Sequence, residues 1–70
     1  YKSGMRRVLE VGAGTGAITD VILEQINETD QLDVIEIDPE LCAVLQNKYA
    51  ERPNVSVYGI SILDWNPAYT

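Results

Sequence analysis

The stretch "LEVGAGTGAITD", Leu9 to Asp20, decides how this sequence is read. A short apolar run leads into three glycines at alternate positions, Gly12, Gly14 and Gly16, and then into a segment of helical character. Glycines in such a turn accept positive φ and let backbone approach a ligand closely. The helix that follows turns free N–H groups toward the same point, where a carboxylate or phosphate can sit. The spacing fits two patterns. Gly12-x-Gly14-x-x-Ala17 satisfies the dinucleotide fingerprint in its G/A form. Glu10-x-Gly12-x-Gly14-x-Gly16 is a different pattern, with an acid ahead of the first glycine. A P-loop is excluded, because Ala17-Ile18 stand where it needs a lysine and a hydroxyl residue.

"RRVLEVG" (Arg6–Gly12) reads as a strand, and "AITDVILEQI" as a helix with Ile18, Val21, Ile22 and Ile26 at helical spacing. "NETDQ" is a polar loop, and "LDVIEID" (Leu32–Asp38) is a second strand. Asp38 can cap the next helix, and Pro39 suits its first position, where a missing N–H costs nothing. Leu41, Val44, Leu45 and Tyr49 give that helix one apolar stripe. "ERPN" ends it, since Arg52 before Pro53 is pushed out of the helical region. "VSVYGI" (Val55–Ile60) is a third strand. The order β-α-β-α-β implies an α/β, Rossmann-like parallel sheet of strand order 3-2-1, half of a doubly wound fold, with ligands at the carboxyl ends of the strands. The first strand would then be an apolar open edge. We therefore expect residues 1–70 to be the cofactor-binding, N-terminal part of a longer domain.

Composition narrows the function classes. Seventy residues make at most one small domain, and 46% apolar content is that of a globular protein. No apolar run approaches the ~20 residues that span a bilayer, so the expected setting is cytoplasmic. Cys42 is the only cysteine and there is no histidine, so neither an internal disulfide nor a metal site is expected. Five basic residues face eleven acidic ones, a net charge of −6. Binding a phosphate backbone needs the opposite balance, and Lys2, Arg6 and Arg7 form too small a basic cluster to supply it. No strong nucleic-acid surface is expected in this segment.

Glu10 separates the two glycine patterns. At the carboxyl end of its strand it would lie near the pyrophosphate of a dinucleotide, and a like-charge pair at ~4 Å costs on the order of 4 kcal/mol at an effective dielectric near 20. S-adenosylmethionine carries no phosphate, and its sulfonium and ammonium groups are cations that a carboxylate favours. Glu36 follows Gly12 by 24 residues, close to the usual offset of an acid that accepts from ribose hydroxyls. It suits either adenosine ligand with a free 2′-hydroxyl.

On these residues, "VLEVGAGTG" resembles motif I of the class I S-adenosylmethionine-dependent methyltransferases, and "VIEIDPELC" resembles their second motif. "EIDPEL" followed by "SILDW" is most similar to the rRNA adenine dimethylases and the erythromycin-resistance rRNA methylases, and bacterial phospholipid N-methyltransferases share much of the pattern. The resemblance implies S-adenosylmethionine as cofactor. It places Glu10 and the turn Gly12, Gly14, Gly16 on the methionine and ribose side, Glu36 on the ribose hydroxyls, and Ile37 on the adenine. At the end of the third strand the family has an aspartate that accepts the adenine amino group, followed by a residue whose N–H reads the ring. Here the matching pair is Ser61-Ile62, so that contact loses its charge assistance.

The function implied is N-methylation of rRNA adenine, with RNA as acceptor bound mainly by other parts of the chain. Alternatives are a phospholipid N-methyltransferase or another small-substrate methyltransferase, an NAD-binding oxidoreductase domain, and a catalytically silent methyltransferase-like binding domain. The longer loop "NETDQ" shifts weight toward the phospholipid or small-substrate branch. Amino-methylating members carry an Asn/Asp-Pro-x-aromatic motif after a fourth strand. "NPAY" (Asn66–Tyr69) has that pattern but follows "SILDW" without room for such a strand, so no catalytic residue is assigned.

Overall fold

A computed structural model describes residues 6–65. Lys2 and the "NPAY" stretch lie outside them. The elements run β1 (Arg7–Val11), α1 (Ala17–Gln25), β2 (Gln31–Ile35), α2 (Pro39–Lys48) and β3 (Val55–Tyr58). All three strands are parallel, and β2 lies between the other two, which is the order read from the sequence. Each strand is short, yet backbone bonds carry the ladder one residue further. Gly12 N–H donates to the Ile35 carbonyl at 2.8 Å, and Glu36 N–H donates to the Tyr58 carbonyl at 3.0 Å. The chain therefore leaves the sheet at the residues that begin the two strand-to-helix turns.

Strand alternation puts Val8, Leu32, Val34, Val55 and Val57 on the face that both helices cover. Leu32, Val34 and Leu45 are fully buried there, each contributing about 1.5–3 kcal/mol through removal from water. The inward faces of the helices are rotated from the apolar stripes of the sequence. In α1 the inward residues are Thr19, Ile22 and Leu23, followed by Ile26 just past its end, while Ile18 and Val21 are exposed. In α2 they are Cys42 and Leu45, followed by Tyr49 at its carboxyl cap, with Val44 exposed. The polar contacts of Thr19 and Tyr49 set these rotations, as described below. At the start of α2, Asp38 accepts from the N–H groups of Glu40 (2.9 Å) and Leu41 (3.2 Å), with Pro39 at the first position, as the sequence predicts.

The opposite sheet face is polar at its amino end. Arg7 pairs with the fully buried Asp33 at 2.6 Å, and the Gln31 amide donates to both Asp33 (3.0 Å) and Ser56 (2.9 Å), so one polar ladder crosses all three strands. Arg6 is engaged too. Its backbone N–H and guanidinium donate to Asp30, which also accepts from Asn27 N–H at 2.8 Å. Arg6 and Arg7 are thus both spent on internal carboxylates. On the edge of the sheet, β1 leaves Leu9 and Val11 exposed.

The Asn27 N–H, with Arg6 adding to it, holds the Asp30 carboxyl below the ordinary carboxylate range despite burial. A carboxylate whose folded-state value is depressed stabilises the fold at neutral pH and ceases to do so as pH falls below about 4. In the full-length protein, Asp30→Asn should lower the urea midpoint at pH 7, and the gap to wild type should narrow between pH 5 and pH 3. A constant gap across that range would contradict this role.

Candidate functional site

The three strand ends and the turns that leave them meet at the carboxyl edge of the sheet. Gly12, Gly14 and Gly16 all have positive φ, at 73°, 61° and 95°. Their surroundings differ. A Cβ built on Gly12 or Gly14 would meet nothing within 4 Å, whereas one on Gly16 would lie 2.8 Å from the Tyr49 hydroxyl and 3.2 Å from both Leu45 Cδ2 and Lys48 Nζ. The first two glycines keep open space clear in front of the turn. The third lets α2 approach the start of α1.

Glu36 links the two turns. It is 5% exposed, and its carboxylate accepts from Gly14 N–H at 2.8 Å and from Asp38 N–H at 3.0 Å. Each oxygen therefore takes one backbone donor and keeps a further lone pair for another. Glu10 is 8% exposed and lies on the helix side of the sheet, where it accepts a hydrogen bond from the hydroxyl of the fully buried Thr19. A buried carboxylate requires a donor, and this need turns Thr19 inward in place of Ile18 or Val21.

On the other side of the strand ends lies a cavity of about 160 Å³ lined by Val11, Gly12, Ile35, Ile37, Ile60, Ser61 and Ile62. Four residues singled out in the sequence, Gly12, Ile37, Ser61 and Ile62, thus share one apolar pocket. Ser61 starts the turn that follows β3, its hydroxyl accepting from Leu63 N–H at 3.1 Å and its carbonyl from Asp64 N–H at 2.9 Å. Trp65 comes back to pack against Tyr58, with ring centroids 6.4 Å apart. A larger cavity of about 540 Å³ opens at the opposite end between the α1–β2 and α2–β3 loops, among Glu28, Glu51 and Arg52. It is remote from the glycine turn and from the strand ends where parallel sheets bind ligands.

Tyr49, Lys48 and Asp20 are the group that sequence periodicity misses. Tyr49 donates to Asp20 at 2.7 Å, with the Gly16 carbonyl 3.2 Å away, and Lys48 pairs with Asp20 at 2.8 Å. The Lys48 hydrogen bond pulls the Asp20 carboxyl below its ordinary value, and the same bond raises Lys48. A tyrosine at a helix end was visible in the sequence only as one apolar position of a stripe.

Three parallel strands in this order, with an open glycine turn after the first, make the first half of a nucleotide-binding α/β fold. The family model for the ribosomal RNA adenine dimethylases matches residues 4–70, and the chain belongs to that family. It is 43% identical over 51 residues to the ribosomal RNA small subunit methyltransferase A of Coxiella burnetii, covering 73% of this chain and 19% of that protein. It is 40% identical over 52 residues to the ornithine lipid N-methyltransferase of Singulisphaera acidiphila, covering 74% and 27%. The solved structure of the 23S rRNA methyltransferase ErmE superposes with a TM-score of 0.73 at 31% identity, over 91% of this chain and 25% of that one. The chain spans about a fifth to a quarter of the length of these relatives.

The glycines should separate by substitution. Gly14→Ala meets only backbone strain, about 1 kcal/mol, while Gly16→Ala adds a clash with Tyr49 and should cost about 2 kcal/mol or more in urea unfolding. Equal losses would contradict the division of roles.

Proposed function

We propose that this chain forms the S-adenosylmethionine-binding part of an rRNA adenine N-methyltransferase. The observation that carries the reading is the buried Glu36 carboxylate, fixed between the glycine turn and the α2 turn beside an apolar pocket. The residues present fit the cofactor. Gly12 and Gly14 leave open space before the turn, Glu10 and Glu36 supply negative charge for a cationic ligand, and Ile37, Ile60 and Ile62 offer an apolar wall for a purine. When bound, S-adenosylmethionine supplies an electrophilic methyl group for in-line transfer to the acceptor.

The chain's own residues bind and orient. Glu36 accepts from the ribose hydroxyls with the lone pairs that Gly14 and Asp38 leave free. Glu10, held by Thr19, lends its charge to the methionine side, and the uncapped first turn of α1 faces the carboxylate. Ile37 packs on the adenine. Ser61 takes the place of the family's aspartate. Its hydroxyl already accepts from Leu63 N–H, so its remaining lone pair holds the adenine amino group without charge assistance. The exposed Leu9 and Val11 of β1, together with the greater length of the relatives, support the view that residues 1–70 belong to a larger domain that binds the acceptor.

The lipid alternative rests on the likeness to the ornithine lipid N-methyltransferase, which is nearly as strong as that to the ribosomal enzyme. Among the described residues no helix is long and apolar enough to cross a membrane, and Arg6, Arg7 and Lys48 are all engaged in internal ion pairs.

Calorimetry on the full-length protein should show S-adenosylhomocysteine binding and no NAD binding. Glu36→Gln should weaken that binding ten- to a hundredfold, as expected for hydrogen bonds to a charged group worth about 1.5–3 kcal/mol. Ser61→Asp should strengthen it. Binding of NAD alone would overturn the reading, and an unchanged affinity in Ser61→Asp would remove Ser61 from the adenine contact.

A further inference from the structure

The glycine turn is held from behind by the carboxyl end of α2. No side chain caps α1, in contrast to α2, where Asp38 does so. The first N–H groups of α1 therefore depend for their direction on what fixes Thr15 and Gly16. That support comes from 33 residues away. The Tyr49 hydroxyl donates to Asp20 at 2.7 Å and lies 3.2 Å from the Gly16 carbonyl oxygen, while Lys48 Nζ is 2.8 Å from Asp20 and 3.5 Å from the Thr15 carbonyl oxygen. The approach is close enough that Gly16 admits no side chain.

We propose that Tyr49 and Lys48 are positioning residues for the amino-acid end of the cofactor, holding Thr15–Gly16 so that the uncapped turn of α1 is aimed at the ligand carboxylate. The inference rests on the S-adenosylmethionine reading and adds a division of labour to it. Glu36 and the apolar pocket serve the adenosine end from β2 and β3. The α2 clamp serves the other end without touching the ligand. Burial, with Asp20 adding to it, raises the Tyr49 hydroxyl above its ordinary value, so it stays a donor throughout the neutral range. Lys48 also lies 5.4 Å from the centre of the Tyr49 ring, which keeps the three side chains in one cluster. The Tyr49 ring belongs to the buried core beside Leu32, Val34 and Leu45, but its hydroxyl reaches only Gly16 and Asp20, so removing the hydroxyl alone tests the clamp apart from the packing.

The test compares two ligands on the full-length protein: S-adenosylhomocysteine, which has the amino-acid end, and 5′-methylthioadenosine, which lacks it. Tyr49→Phe keeps the ring and loses the hydroxyl. It should weaken S-adenosylhomocysteine binding about tenfold and change 5′-methylthioadenosine binding less than twofold. Lys48→Met, which leaves the Tyr49 hydroxyl in place, should show the same selectivity at about threefold, and it decides the matter should Tyr49→Phe fail to fold. Equal losses for both ligands, or no loss for either, would overturn the clamp. Failure of the wild-type protein to bind either ligand would instead overturn the cofactor reading on which it rests.

Discussion

A buried carboxylate must be given hydrogen-bond donors, and at Glu36 those donors come from the backbone of two different turns. Gly14 N–H comes from the turn between β1 and α1, and Asp38 N–H from the turn between β2 and α2. This one side chain therefore sets the distance between the loops that leave adjacent strands. Because both helices begin at those loops, their placement over the sheet follows from it. The same carboxylate keeps lone pairs that neither turn uses, which is why the proposed ribose contact is assigned to it.

Around that anchor the three glycines divide their work. Gly12 and Gly14 have positive φ and open space, which suits a backbone that must lie close to a bound molecule. Gly16 has positive φ and no space at all, which suits the packing of α1 against α2. The regular spacing of the motif hides two physical demands. Glu10 repeats the principle one strand over, since its burial is matched by the hydroxyl of Thr19 from the first turn of α1.

Much of this was legible in the residues. Runs such as "RVLEV" and "VSVY" and the cap "DPE" announce strands and a helix start, so element order and sheet order follow. Strand ends were less legible, because Gly12 and Glu36 continue the ladder by one hydrogen bond while already turning away. Helix faces were misread where polar pairing outweighed apolar periodicity. Ile18 and Val21 look like core residues, but the hydroxyl of Thr19 is what Glu10 needs. An acid expected to be buried could have prompted a search for its donor within the next helical turn. The Tyr49–Gly16 contact had no such local sign, since it joins residues brought together only by the packing of α2 on α1. Of the residues singled out for the site, Gly12, Ile37, Ser61 and Ile62 converge on one pocket, Gly14 and Glu36 are bonded to each other, Glu10 is bonded to Thr19, and Gly16 packs against Tyr49.

The most direct measurement is a crystal structure of the full-length protein with S-adenosylhomocysteine. Both ribose hydroxyls should lie within hydrogen-bond distance of Glu36, with Gly14 N–H still on the same carboxylate and the adenine against Ile37 and Ile62. A ligand seated away from the carboxyl edge of the sheet, or a Glu36 carboxylate that makes no contact with the ribose, would contradict the assignment of this turn and its anchor to the cofactor.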